Sequence, residues 1–197
     1  MNSKKFIIES LSESAEIKRK TIEFCKADIE KSAELLVETF ASGKKLMLCG
    51  NGGSAADAQH IAAEFMIRLS HDLNRPAIPA IALTTDSSNL TAGGNDIGYE
   101  NVFARNVSGL GNAGDVLIAI STSGNSENVI KAVNAAHQKG IKTIGFLGGN
   151  GGKLKSLVDI GIVVPSVSTQ RIQEVHITVG HILCEIAERK LYGENGD

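Results

Sequence analysis

Four hydroxyl side chains, Ser121, Thr122, Ser123 and Ser126, fall within six positions, directly after the apolar run Val116–Ile120 and directly before a helical pattern. A strand that runs into a helix through such a segment can hold a phosphate. The first N–H groups of a helix lack intrahelical partners and carry the positive end of its dipole, and each hydroxyl can donate to a phosphate oxygen. The rival reading is a plain helix cap by Ser123 or Asn125, although one cap needs only one such side chain. A second set of residues suits a metal ion or proton transfer. His60 and Glu64 are four apart in a helical pattern and share a face. Near the C-terminus Gln173, His176, Ile177, Gly180 and His181 recur at i, i+3, i+4, i+7 and i+8, which predicts two histidines and an amide on one helix face. A solvated His–Glu pair is commonplace. Polar groups in place of an apolar stripe nevertheless call for a polar partner, since an unpaired buried amide or imidazole costs about 1–3 kcal/mol. A divalent ion such as zinc on His60, Glu64 and His181 meets that need and leaves room for a substrate.

These residues must be positioned by an alternating chain. Short apolar runs at Lys45–Cys49, Ile78–Leu83, Val116–Ile120, Thr143–Leu147 and Ile160–Val164 read as strands. Helical patterns lie between and after them, at Ser54–Leu69, Asp86–Ala92, Glu100–Leu110, Ser126–Lys139, a short one near Lys153, and Gln170–Tyr192. The order predicts a five-stranded parallel sheet in a three-layer αβα sandwich, with ligands gathered at the carboxyl ends of the strands. Before the first strand, Ile7, Leu11, Ala15, Ile22 and Cys25, then Ile29, Ala33, Leu36, Val37 and Phe40, predict a pair of N-terminal helices. Their apolar faces cover either the sheet or another copy of the chain. The expected organisation is one domain over residues 1–197, with helices in 1–42 and the α/β core in 43–197.

The turn after the first strand, Gly50-Asn-Gly-Gly-Ser-Ala-Ala-Asp57, is built for close backbone approach. Gly50, Gly52 and Ala55 fit G-x-G-x-x-A, but no acidic residue closes the second strand at the distance a dinucleotide site requires, and no G-K-[ST] follows. Ser54 and Asp57 fit a variant of the capping box. The run Gly148–Gly152 reads as a flexible connection, Asn95–Asp96 as a turn, and Arg68, His71 and His137 as surface residues. The chain of 197 residues carries a net charge of -2, so nothing draws it to nucleic acid or an anionic membrane, and an acidic ligand must be met by local geometry. Cys25, Cys49 and Cys184 form no C-x-x-C pair, which argues against a disulfide framework and a thiolate zinc site and predicts a reducing, cytoplasmic setting. No segment reads as an export signal or a membrane span.

Four segments taken together, Gly50–Glu64, Gly94-Asn-Asp96, Ser121-Thr-Ser-Gly-Asn-Ser126 and Gln173–His181, resemble the phosphoheptose isomerases of the sugar isomerase (SIS) domain family. The resemblance spans nearly the whole chain and is weakest at Ser166–Arg171. It implies a flavodoxin-like SIS fold, a cytoplasmic homotetramer and a zinc ion on His60, Glu64, Gln173 and His181. It also implies substrate contacts from Asn51, Gly52, Gly53, Glu64, Asn95, Asp96, Ser121, Thr122, Ser123, Ser126 and Gln173. The implied reaction converts sedoheptulose 7-phosphate to D-glycero-D-manno-heptose 7-phosphate, toward the heptose of lipopolysaccharide or other surface glycans. The hydroxyl segment alone marks only the wider family, which includes non-catalytic sugar-phosphate binders such as regulators that associate with the bacterial replication initiator. Glu64 and His181 favour the enzyme. Ketose–aldose conversion moves a proton between neighbouring carbons through an enediol, and a carboxylate with an imidazole can carry those transfers.

Overall fold

The computed structural model describes residues 1–193. Its first element departs from expectation: one helix, α1 (Ser3–Ala41), stands where two were expected. The two apolar series are in phase, since Cys25 to Ile29 is one more i+4 step, and no Gly or Pro interrupts Ser3–Ala41. Asn2 caps it by accepting from the Lys5 N–H at 3.2 Å. At 1.5 Å per residue α1 runs to about 58 Å. Its buried residues begin only at Thr21, while Phe6, Ile7, Ile8 and Leu11 are exposed.

Five strands follow: β1 (Leu46–Gly50), β2 (Ala80–Ala82), β3 (Val116–Ser121), β4 (Lys142–Gly148) and β5 (Ile160–Val164). They form one parallel sheet in the order β2-β1-β3-β4-β5. β1 and β3 are buried along their whole length, as apolar runs covered on both faces must be. Helices α2 (Gly53–Met66) and α6 (Thr169–Tyr192) join α1 over one face, around Leu36, Leu48, Phe65, Ile118 and Phe146. Helices α3 (Ser87–Asp96), α4 (Val102–Leu110) and α5 (Glu127–Gln138) cover the other, around Met47, Leu83, Phe103, Leu117 and Val133. Short 3-10 turns stand at Tyr99–Asn101 and Lys153–Ser156.

The chain runs outward from β1 to β2 and returns to β3, so the loops leaving β1 and β3 diverge from a common crevice at their carboxyl ends. Such a switch point is where open α/β sheets bind ligands. At the opposite end of the sheet, the buried Asp115 accepts from the Lys45 ammonium and the backbone N–H groups of Lys45 and Asn112. Burial alone would raise that carboxyl's pKa, but these partners hold it below the usual range.

Candidate active site

Two helices bring the titratable residues together. α2 leaves β1 through Gly52, whose φ of +57° suits a glycine, and carries His60 and Glu64 on one face. α6 lies beside it and presents His181. The two Nε2 atoms of His60 and His181 are 2.8 Å apart, and His60 Nε2 is 3.3 Å from Glu64 Oε1. Two imidazoles can meet in this way only if one nitrogen carries the proton that the other accepts, or if both turn their lone pairs to a shared cation. One ligand atom from each of His60, Glu64 and His181 falls within 4.8 Å of the others. Two imidazole nitrogens and one carboxylate oxygen make the donor set of an open catalytic zinc site, so these residues fit such an ion.

The stripe expected on α6 splits. At about 100° per residue, His176 and His181 lie about 140° apart around the helix axis. His176 is fully buried over Phe146, with Nε2 3.0 Å from the Leu147 carbonyl and no partner at Nδ1. Burial depresses its pKa to about 4, against a smaller raising effect of the Leu147 carbonyl. It is therefore a neutral core histidine that ties α6 to the end of β4. Gln173, near the start of α6, lies against the start of α2, where a β-carbon on Gly53 would come 2.2 Å from its Nε2. The α2–α6 contact thus runs from Gly53 and Gln173 to His60 and His181. The capping box expected from Ser54 and Asp57 is not formed. Gly52 is the N-cap, without a side-chain bond, and Ser54 is buried inside the first turn. Asp57, one turn before His60, keeps Oδ2 buried and unpartnered, and burial raises its pKa to about 6 although His60 pulls it down. Its i, i+3 spacing from His60 was the signal that could have singled it out.

The hydroxyl segment forms the turn from β3 into α5. The N-cap of α5 is Ser126, with no side-chain capping bond, so neither Ser123 nor Asn125 fills the plain capping role. The Ser121 and Ser126 hydroxyls are 3.0 Å apart, with Ser121 buried. Ser123 Oγ accepts from the Asn125 N–H at 3.2 Å. The run Gly148–Gly152, expected to be a flexible connection, is instead packed on this turn. Leu154 N–H donates to the Gly124 carbonyl at 3.0 Å, and Lys153 N–H to Asn125 Oδ1 at 3.1 Å. Gly124 has φ +66°, and a β-carbon there would lie 1.9 Å from the Gly151 carbonyl oxygen. Thr122 and Ser123 line an open cavity of about 840 Å³ with Gly149, Asn150, Ser166 and Thr169, at the carboxyl ends of β3, β4 and β5.

Asn51, at the end of β1, is locked by partners that sequence alone did not suggest. Its Nδ2 donates to Asn128 Oδ1 at 2.9 Å, and its Oδ1 accepts from Asn128 Nδ2 at 2.8 Å and from the Tyr99 hydroxyl at 3.1 Å. Both ends of the amide are committed, which leaves the backbone of Asn51, Gly52 and Gly53 to face a ligand. Asn95 and Asp96 belong to the last turn of α3 rather than to a free turn. Both are exposed, and Asn95 Nδ2 donates to Asp96 Oδ1 at 2.7 Å. The structure brings His60, Glu64 and His181 together, seats Gln173 on Gly53 and pairs Ser121 with Ser126, while Asn95 and Asp96 bond to each other. Arg68 and His71 are exposed as expected. His137 is exposed too, but its Nε2 lies 3.1 Å from Thr143 Oγ1.

Comparison with known proteins agrees with this architecture. Residues 11–148 match the SIS domain family. A phosphoheptose isomerase of Roseiflexus sp. (strain RS-1) is 56% identical over 190 residues, covering 96% of this chain and 95% of that protein. The structure of a phosphoheptose isomerase from Francisella tularensis superposes with a TM-score of 0.91 at 38% identity, covering 96% of this chain and 100% of that one. The phosphoheptose isomerase structure from Neisseria gonorrhoeae gives a TM-score of 0.88 at 41% identity, over 94% of this chain and 98% of that one. The chain belongs to the SIS domain family and, within it, to the phosphoheptose isomerases.

Proposed function

We propose that the chain interconverts sedoheptulose 7-phosphate and D-glycero-D-manno-heptose 7-phosphate through an enediol, supplying heptose for a bacterial surface glycan such as lipopolysaccharide. The observation that carries this reading is the meeting of Glu64 with His60 and His181, 3.3 Å and 2.8 Å from atom to atom along the group, in a chain of this family. Glu64 takes the proton from C1 of the ketose and returns it to C2. His181 shifts the hydroxyl proton between O1 and O2, which completes the conversion of ketone to aldehyde. The oxyanion that develops in the enediol needs positive charge or donors close by. A zinc ion held by His60, Glu64, Gln173 and His181 would polarise the carbonyl there. With that ion bound, the proton transfers would fall to the second carboxylate oxygen of Glu64 and the second ring nitrogen of His181.

The phosphate end is assigned to Thr122, Ser123 and Ser126 with the uncapped start of α5, and Ser121 acts by orienting Ser126. Gly52 and Gly53 approach the sugar through their backbone beside Asn51, and Asn95, Asp96 and Gln173 contribute further polar contacts. The chain is proposed to work as a homotetramer. The exposed apolar residues Phe6, Ile7, Leu11, Ile22 and Phe24 of α1 support self-association, as does the apolar groove of about 560 Å³ between α1 and α6. Three buried free cysteines accord with a reducing cytoplasm, and among the described residues no helix is long and apolar enough to cross a membrane. The direct test is incubation with sedoheptulose 7-phosphate, with added zinc or after chelation. The heptose 7-phosphate should form with zinc and fall away after chelation. Absence of product under every metal condition overturns the proposed reaction.

A further inference from the structure

The last turn of α2 is gripped by a charge pair that none of the chemistry above uses. Arg75 lies in the loop between α2 and β2, and Glu188 lies on α6; both side chains are fully enclosed, with 0% exposure. Arg75 donates to Glu188 Oε1 from Nε at 2.8 Å and from Nη2 at 2.6 Å. The same Nη2 donates to the backbone carbonyl of Glu64 at 2.8 Å. Glu188 also accepts from the N–H groups of Leu69 at 2.9 Å and Ser70 at 3.2 Å, just beyond the end of α2. Burial alone would raise the Glu188 carboxyl's pKa, but Leu69, Arg75 and Ser70 hold it below the usual range.

The position of this pair sets it apart from an ordinary buried ion pair. The carbonyl of Glu64 is one of the orphan acceptors that the end of a helix leaves open, and a guanidinium fills it. Glu188 is seven residues, close to two full turns, beyond His181, so it falls on the same side of α6. Beside His60 and His181, the helices touch so closely that a β-carbon on Gly180 would lie 2.5 Å from Ile61. A slide of α2 along α6 would therefore break the charge pair and part His60 and Glu64 from His181 in one movement.

We propose that Arg75 and Glu188 are positioning residues that fix the register of α2 against α6, and so the spacing of the Glu64 carboxylate from the two histidines. This rests on the isomerase and metal-site reading given above. Arg75→Lys keeps the charge but loses the planar fork that reaches Glu188 and the Glu64 carbonyl together. It is expected to fold, to lower kcat about 10- to 100-fold with KM for sedoheptulose 7-phosphate within about threefold, and to weaken zinc binding to the metal-free protein about tenfold. A Co²⁺-loaded sample should show a changed visible absorption spectrum, a readout that needs no turnover. Glu188→Gln should repeat the pattern. Asp115→Asn, at the far end of the sheet, is the control: it should lower the melting temperature and leave kcat, zinc affinity and the cobalt spectrum unchanged.

Unchanged zinc affinity and cobalt spectrum in a folded Arg75→Lys protein would overturn the proposal. So would losses that Asp115→Asn reproduces, or failure of both Arg75→Lys and Glu188→Gln to fold, since each assigns the pair to stability alone. If the wild-type protein binds zinc but does not turn over sedoheptulose 7-phosphate, the isomerase reading fails separately, and the zinc and cobalt measurements still decide the positioning claim.

Discussion

The two halves of the candidate site are held by different means. The hydroxyl half, Thr122–Ser126, is local: one strand end, one helix start and a glycine run that packs on it through backbone contacts. The proton-transfer half takes His60 and Glu64 from α2 and His181 from α6, more than a hundred residues apart, and depends on how two helices lie together. A local turn tolerates loss of one side chain because backbone N–H groups share the ligand. A site assembled from distant helices has no such redundancy, so its single substitutions should cost more.

The largest expected effect follows directly. Glu64→Gln should fold as wild type and lower kcat by about a thousandfold or more, the scale of a lost general base; circular dichroism and steady-state kinetics check both halves of the statement. Gly124→Val comes next and strikes the other half through its backbone. A branched side chain at φ +66°, with a carbonyl 1.9 Å from its β-carbon, should destabilise the fold by about 2–4 kcal/mol in urea unfolding and raise KM by displacing the turn. Thr122→Ala and Ser123→Ala should be milder, each raising KM by about three- to tenfold while kcat stays within about twofold, the loss of one hydrogen bond at about 1 kcal/mol. Should either hydroxyl change lower kcat as far as Glu64→Gln, the contrast between the halves collapses.

The smallest effect on turnover belongs to His176, and pH reveals it. Its folded-state pKa of about 4 lies below the ordinary 6.5, so between those values the unfolded chain binds the extra proton. The stability it contributes is present above pH 6.5 and is lost as pH falls toward 4, by up to about 3 kcal/mol. Asp57 has the opposite sign, because its pKa is raised to about 6 and stability linked to it declines as pH rises through that value. Urea unfolding of wild type and His176→Gln across pH 4–7 isolates the first contribution. The stability difference between the two proteins should shift against wild type as the solution is acidified, and a difference constant with pH would show that the imidazole does not stay neutral.

What the sequence disclosed follows the same division between local and distant. The strands were legible because a doubly covered parallel strand must be an apolar run, and the hydroxyl turn because its members are neighbours in the chain. The continuity of α1 shows only in a negative signal, the lack of any breaker between Cys25 and Ile29, whereas two apolar series in one phase read equally as one helix or two. Periodicity also put His176 and His181 on one face, although about 140° separates them, enough to send one into the core and the other to Glu64. The packed role of Gly148–Gly152 was illegible because its partner, Gly124, lies in another loop. The pairing of Arg75 with Glu188 spans 113 residues and has no periodic signature at all. The same is true of the lock that Asn128 and Tyr99 place on Asn51.

In the proposed reaction Glu64, placed by the α2–α6 contact, moves the carbon-bound proton. Running the reaction in heavy water and reading the product by NMR and mass spectrometry tests it most directly. One solvent deuteron is expected at C2 of the heptose 7-phosphate made by the wild-type protein, and none above background with Glu64→Gln. Product formed by the wild-type protein without deuterium at C2, or equal labelling by Glu64→Gln, would contradict it.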